Sequence, residues 1–369
     1  MKKNYWLAGF ALSLCFTSCI QDEALNVEAA IDGCKGANIQ LVNINDEKKE
    51  IEIFVPDGTD ISKQELLLEL PQGATVTTEN KQPNDNPPIY DFSIEKDRTF
   101  IVTSEDGKNK AVYNVSIFTM ELPLLYSFDN LSQDNPHHAF YLSDQTKKLQ
   151  WASGNPGFKL TGMGTNNTDY PTVQSSDGKK GYCVKLETKD TGSFGSVAGM
   201  PIASGNLFIG TFDLSNALSK PLEATKFGYP FTKNPIKMTG YYKFKAGPQM
   251  TDAQKKPIAG KDIFDIYAVM YEAQANNFFL NGENSLSHES IVKLARIKTE
   301  DAKETDEWTY FEIPFENQNG KSINNEDLKK GKYKLAIVLS SSLNGAFFKG
   351  AIGSTLYADE LEVICETNN

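Results

Sequence analysis

Residues 334–339, Lys-Leu-Ala-Ile-Val-Leu, form an almost unbroken apolar run rich in β-branched side chains. Such a run fits a β-strand buried on both faces, a slot that few architectures offer. The stretch 356–364 alternates more and carries Asp359 and Glu360 near its start. Between the two lies a loop rich in Ser and Gly that contains Phe347-Phe348. Small residues permit close backbone approach and aromatic rings gain by burial, so this loop is expected to be packed. Strand, long crossing loop and closing strand is how many β-sandwich domains finish, with the last strand returning beside the first. The larger part of the chain is therefore expected to be an all-β sandwich.

Upstream the chain is punctuated as short strands. Runs at 38–44, 50–55, 66–70, 74–77, 91–94, 99–103 and 111–117 are separated by Pro, Gly, Asn and Asp clusters. The Glu105-Asp106-Gly107 tip between two alternating runs is a hairpin signal. This density over residues 33–119 predicts a small immunoglobulin-like β-sandwich, without the Cys…Trp…Cys core of antibody domains. Met120 to Pro123 marks a boundary. From 123 to 367 roughly nine to eleven strands at irregular spacing favour a jelly roll over a second immunoglobulin fold. Phe227-Gly228-Tyr229-Pro230-Phe231 reads as a rigid aromatic turn, and 324–329 as one helical turn.

The first residues read as an address. Lys2-Lys3 precede an apolar stretch from Tyr5 to Phe16 that is too short to span a bilayer, and Thr17-Ser18-Cys19 follows. Positive region, apolar region and small-small-Cys in register predict a lipoprotein signal over 1–18, lipidation at Cys19 and a tether through residue 32. The alternative is an ordinary secretory signal with Cys19 a spare thiol. The acidic Asp22-Glu23 directly after the cysteine resembles the export signal of Bacteroidetes surface lipoproteins, which implies an outer-membrane address facing the cell exterior. The net charge of −11, with no basic run, argues against a nucleic-acid partner. Cys34, Cys183 and Cys365 remain in the body, and Cys183 and Cys365 either pair or stay as buried thiols.

An ordered set of segments carries a resemblance. Trp151-Ala-Ser-Gly-Asn-Pro-Gly157, Gly205-Asn-Leu-Phe-Ile-Gly210, Gly228-Tyr-Pro-Phe231 and Gly240-Tyr-Tyr-Lys-Phe-Lys-Ala-Gly247 occur in this order. Asp265-Ile-Tyr-Ala-Val-Met-Tyr-Glu272, Trp308-Thr-Tyr-Phe-Glu-Ile-Pro-Phe315 and the run 350–361 continue it. From Leu124 onward the chain resembles the carbohydrate metabolism domain (PCMD) of Bacteroidetes lipoproteins, and the front part resembles the immunoglobulin-like module that often precedes it. The resemblance implies a galactose-binding-like jelly roll with a role on surface glycans. It carries no activity and no site residues.

Catalytic chemistry has little to stand on in the residues. His137-His138 point in opposite directions along an extended chain and make a poor metal chelate, and no nucleophile elbow, zinc or phosphate motif occurs. Asp262, Asp265, Glu272 and Glu312 are the carboxylates from which an acid/base pair of a hydrolase or lyase could be drawn. Sugar binding needs flat aromatic faces with amide, carboxylate or guanidinium groups beside them. Trp151 in a Ser/Gly/Asn loop is the tryptophan expected to be exposed, with Asn155 beside it and Tyr229 in a Gly/Pro turn. Trp308 is expected in the core. Period two puts Asp265, Tyr267, Val269 and Tyr271 on one face of their strand, with Arg296 on a neighbouring strand. For the tyrosines, plain core packing is the alternative. No cofactor is required; a structural calcium is conceivable at Asp359 or Asp129. The reading is thus a non-catalytic glycan-binding surface lipoprotein. A structural or adhesin-like module with an outer-membrane protein partner is the second reading, and a hydrolase or lyase the third.

Overall fold

The computed structural model describes residues 24–56, 58–132, 136–143, 149–273 and 278–367. The signal region and Cys19 lie outside the described residues. Among the described residues, Cα proximity divides the chain into two compact units, one holding 24–37, 43–52 and 61–116, the other 38–42, 53–60 and 117 onward.

The front unit is an immunoglobulin-like β-sandwich. Strands β1 (Leu41–Asn45), β2 (Glu50–Pro56), β3 (Thr75–Thr78), β4 (Asp97–Thr103) and β5 (Lys110–Met120) form one sheet in the order β1-β2-β5-β4-β3, with β4 antiparallel to both β3 and β5. Two ribbons, Gly33–Lys35 with Leu67–Glu69 and Gln64–Glu65 with Ile89–Tyr90, supply further short strands. Tyr90 on one ribbon packs edge-on against Phe100 of β4, with ring centroids 5.0 Å apart. The hairpin expected at Glu105-Asp106-Gly107 is there: Gly107 takes the left-handed conformation at φ +71 and Ser104 N–H donates to Asn109 O. Residues 91–94, expected as a strand, bend instead. Asp91 Oδ1 accepts from both the backbone N–H and the hydroxyl of Ser93, at 2.8 and 2.6 Å, a local bond that competes with strand pairing.

The second unit is a jelly roll whose eight principal strands are β6 (Cys183–Glu187), β7 (Asn206–Phe208), β8 (Pro235–Lys245), β9 (Asp265–Glu272), β10 (Ile291–Arg296), β11 (Thr305–Pro314), β12 (Tyr333–Ser340) and β13 (Thr355–Cys365). They form two antiparallel sheets in the orders β6-β13-β8-β11 and β7-β12-β9-β10. The chain alternates between the sheets except at the β9–β10 hairpin, which is the double Greek-key path of a jelly roll. β13 is the closing strand, and Leu125–Tyr126 at the start of the unit pairs with it as expected. Met238, Tyr242, Phe244 and Leu356 of the first sheet meet Ile266, Met270, Leu335 and Ile337 of the second in one apolar core. β12 is buried on both faces: Leu335, Ile337 and Leu339 belong to that core, while Ala336 and Val338 pack beneath Phe208 and Phe227 on the other side. The helical turn is Asn325–Lys329, capped by Asn324 Oδ1, which accepts from the N–H groups of Glu326 and Asp327. Cys34, Cys183 and Cys365 are free thiols, so the Cys183–Cys365 pair does not form. Burial pushes the thiols of Cys34 and Cys183 up to about 12, which keeps them protonated and inert.

Candidate functional site

The alternation of β9 sends Ile266, Ala268 and Met270 into the core and Asp265, Tyr267, Val269 and Tyr271 to the outer face of the second sheet. That face is covered by loops. Tyr271 lies beneath them, its hydroxyl donating to Phe227 O at 2.5 Å. The Tyr267 hydroxyl shares a 2.9 Å hydrogen bond with Ser285 Oγ. Burial raises both phenols, so neither ionises at physiological pH. At the start of β9 the cover opens. Asp265 stands opposite Ser340, and Tyr267 opposite Arg296. The Arg296 guanidinium grips Asp265 as a fork, Nε to Oδ1 at 3.0 Å and Nη2 to Oδ2 at 2.8 Å. The carboxylate is buried, whereas the arginine side chain keeps 34% of its surface exposed. Burial raises the Asp265 carboxyl above its ordinary value, against the pull of Arg296.

Asp265, Tyr267 and Arg296 lie at the floor of a cleft of about 400 Å³, which is within the range of small-molecule sites. The floor continues through Phe208 and Val338, and Phe158 from the short helix α1 (Asn155–Lys159) and Phe212 form part of the walls. At the rim stand Phe194 from the short helix α2 (Gly192–Val197), Leu286 and Phe347, all exposed. Asp265 is the one carboxylate among the described lining residues.

With this geometry in view, the comparisons with known proteins are specific. Residues 127–364 match the family described as "Putative carbohydrate metabolism domain", PCMD. The chain belongs to the PCMD family. A crystal structure from Bacteroides thetaiotaomicron, described as a putative glycoside hydrolase, is similar at 44% identity over 94% of this chain and 100% of that one, with a TM-score of 0.77. A second, from Bacteroides vulgatus and described the same way, shares 42% identity over 66% of this chain and 98% of that one, with a TM-score of 0.62. No curated protein matches.

Of the seven residues singled out for sugar contact, the PCMD domain brings Asn155, Asp265, Tyr267 and Arg296 to the cleft and leaves Trp151, Tyr229 and Tyr271 away from its lining. Trp151 is 4% exposed, not the exposed residue expected from its small-residue loop. Ala152 bridges to Phe208 and Gln150 to Tyr141, which holds the segment extended. Trp151 itself sits in the apolar core, against Tyr126 and Phe128 at 5.1 and 5.5 Å. Tyr229 is buried because its strand pairs it with Leu335, and its hydroxyl donates to Gly210 O at 2.8 Å. Asn155 lines the cleft, but its amide is closed on the Thr172 backbone: Nδ2 donates to Thr172 O and Oδ1 accepts from Thr172 N.

Of the four carboxylates considered for catalysis, Asp262, Glu272 and Glu312 lie outside the cleft lining. Asp265 and Glu272 stand at opposite ends of β9, about 23 Å apart at strand rise. Asp262 is buried, and its Oδ2 accepts from Ser342 Oγ, Ser354 Oγ and the Ala351 N–H, each at 2.7 Å. Glu272 pairs with Lys321, and Glu312 with Lys237 and the Tyr310 hydroxyl. The Lys237 ammonium and Tyr310 hydroxyl beside Glu312 hold its carboxyl below the ordinary value, the reverse of what a general acid needs.

Two aromatic residues were placed differently by the sequence. Phe347, expected to pack, is 53% exposed at the cleft rim, because the turn Gly345–Phe347 and the left-handed Phe348 hold it outward. Trp308, expected in the core, is half-buried, with the Lys243 ammonium 4.8 Å over its ring. Phe194, which the sequence reading missed, sits in Gly-Ser-Phe-Gly-Ser-Val, a small-residue setting like that of Phe347. Asp129 and Asp359, the residues considered for calcium, accept backbone N–H groups from Tyr182 and from Lys180 and Glu360. Burial pushes the Asp359 carboxyl up to about 6.

Proposed function

We propose that the cleft over β9 and β12 binds a glycan and does not cleave it. The observation that carries this is the Asp265–Arg296 fork at the floor of an aromatic-walled cleft. A carboxylate and a guanidinium locked in one plane offer acceptor and donor edges side by side, which suits adjacent sugar hydroxyls. Phe194 and Phe347 at the rim offer ring faces for the C–H face of a pyranose. The PCMD family and its description by carbohydrate metabolism support the ligand class.

Hydrolysis is the second reading, favoured by the description of the two similar Bacteroides structures as putative glycoside hydrolases. Against it, glycosidases flank the scissile bond with two carboxyl groups about 5–10 Å apart, and the described lining of this cleft contains Asp265 alone. A glycan array with the fragment from residue 24 onward, beside Phe347→Ala, tests the binding. Retention of at least one glycan by the wild type, weakened in the variant, is expected. Reducing-sugar release from a retained glycan would replace binding by hydrolysis.

The display reading is a proposal of the same kind: a diacyl anchor on Cys19 would hold the protein on the outer membrane, where polysaccharide is met. Incorporation of labelled palmitate that vanishes in Cys19→Ala is the expected result. Incorporation that persists would remove Cys19 from the account.

A further inference from the structure

We infer that the sugar taken by this cleft carries an apolar substituent, an aryl or acyl group, and is not a bare hydroxyl-covered chain. The inference rests on the glycan reading above and follows from an inventory of the lining's hydrogen-bonding groups. Asn155 is closed on the Thr172 backbone. Asn206 Oδ1 accepts from Gly154 N at 2.7 Å, and its Nδ2 donates to Ser204 O at 3.3 Å. The hydroxyls of Thr172 and Thr191 donate to the carbonyls of Asn206 and Met200, at 2.7 and 2.6 Å. Ser340 Oγ donates to Ser342 O, and Ser342 Oγ to Asp262 Oδ2. The fold has thus already engaged most of the polar side chains that face the cleft.

What stays open is the fork, with the Ser204 hydroxyl and the exposed Asn344 amide, whose side chains make no hydrogen bond to a described residue. Nε and Nη2 of Arg296 are bound to Asp265, and Nη1 makes no hydrogen bond to a described residue. A ligand therefore meets these few polar groups and otherwise walls of Phe158, Phe208 and Phe212 below a rim of Phe194, Leu286 and Phe347. A bare pyranose seated there would bring hydroxyls out of water on several sides, and those beyond the reach of the fork would go unpaired, which costs more than a net hydrogen bond returns. Phenylalanine aggravates the mismatch, because it offers a ring face but no hydroxyl or N–H for the hydroxyls at a sugar's edge. An aryl or acyl group removes the conflict: it fills the apolar part, and the sugar's hydroxyls meet Asp265 and Arg296 at the open end.

The test titrates 4-nitrophenyl and methyl glycosides of the same pentoses, hexoses and 6-deoxyhexoses into the fragment from residue 24 onward, with free 4-nitrophenol as a third arm. The expected result is one sugar whose aryl glycoside binds at least about tenfold tighter than its methyl glycoside and tighter than free 4-nitrophenol. Phe194→Ala and Phe347→Ala remove exposed rings and leave the core intact, and each should shrink that preference. Equal affinity for the methyl glycoside would overturn the inference and leave the glycan reading standing. Free 4-nitrophenol binding as tightly as the glycosides, or no binding by a folded protein, would overturn both.

Discussion

Arg296 and Asp265 hold each other through two parallel hydrogen bonds, with the carboxylate buried and the guanidinium partly open to the cleft. Removing one partner strands the other, so Arg296→Met should destabilise the jelly roll by about 3–5 kcal/mol. Replacing both, Asp265→Leu with Arg296→Met, removes the stranded charge along with the pair, and a swap of this kind is often neutral in stability. Urea denaturation of the single and double variants should show loss and then recovery, while glycan retention stays lost in both. Recovery of retention along with stability would mean that the fork has no part in recognition. Trp151 makes the opposite case. It lies outside the cleft lining and its Nε1 is buried without a partner, so Trp151→Phe deletes an unsatisfied donor as well as ring area. Trp151→Ala should cost about 3–5 kcal/mol and the Phe variant much less, with the glycan affinity of the folded protein unchanged in both. Weakened affinity in the stable Phe variant would return Trp151 to the site.

Among the elements, the loop before β4 is tied down by a buried ion pair. Arg98 donates to Asp85 through Nη1 at 2.7 Å and Nη2 at 2.6 Å, and also to the carbonyls of Asn80 and Asp91. Burial works against the Asp85 charge, but the Arg98 hydrogen bonds and the N–H groups of Asp91 and Gln82 outweigh it and lower the carboxyl to about 2. A folded-state value below the unfolded one contributes stability that is present above about pH 4 and lost as pH falls through about 2. The front unit's urea midpoint should therefore drop across that window, and in Asp85→Asn it should be lower at neutral pH and flatter with acid. An equal acid response in the variant would assign the drop elsewhere. The sequence showed only Asn, Pro and Asp here and read a loop, since a pair 13 residues apart leaves no periodic trace. Where periodicity governs, the sequence was legible. The continuous run of β12 and the alternation of β9 sort their side chains as expected, because both depend on neighbours in the same strand. What covers the outer face of β9 depends on loops distant in sequence, and so Tyr271 is shut beneath them while Tyr267 lines the cleft. Trp151 was misjudged for a related reason: loop composition says nothing about a bridge to Phe208.

At the scale of the molecule, the jelly roll carries two aromatic surfaces that a glycan could use, and only one has the fork. The cleft combines Phe194 and Phe347 with Asp265 and Arg296. The first sheet instead presents Tyr241, Trp308, Tyr310 and Tyr357 on β8, β11 and β13. There Lys243 lies over the rings of Trp308 and Tyr357, and Lys179 over that of Tyr241. Ammonium groups already take up the ring faces of Tyr241, Trp308 and Tyr357, while Tyr310 stays exposed on that sheet as Phe194 and Phe347 do at the cleft. The measurement that tests the account most directly is affinity electrophoresis in gels containing a polysaccharide retained by the wild type, comparing Phe347→Ala with Tyr310→Ala. The account predicts that Phe347→Ala loses about tenfold or more in affinity while Tyr310→Ala migrates as the wild type does. Retardation lost in Tyr310→Ala and kept in Phe347→Ala would move the glycan to the first sheet and contradict the cleft.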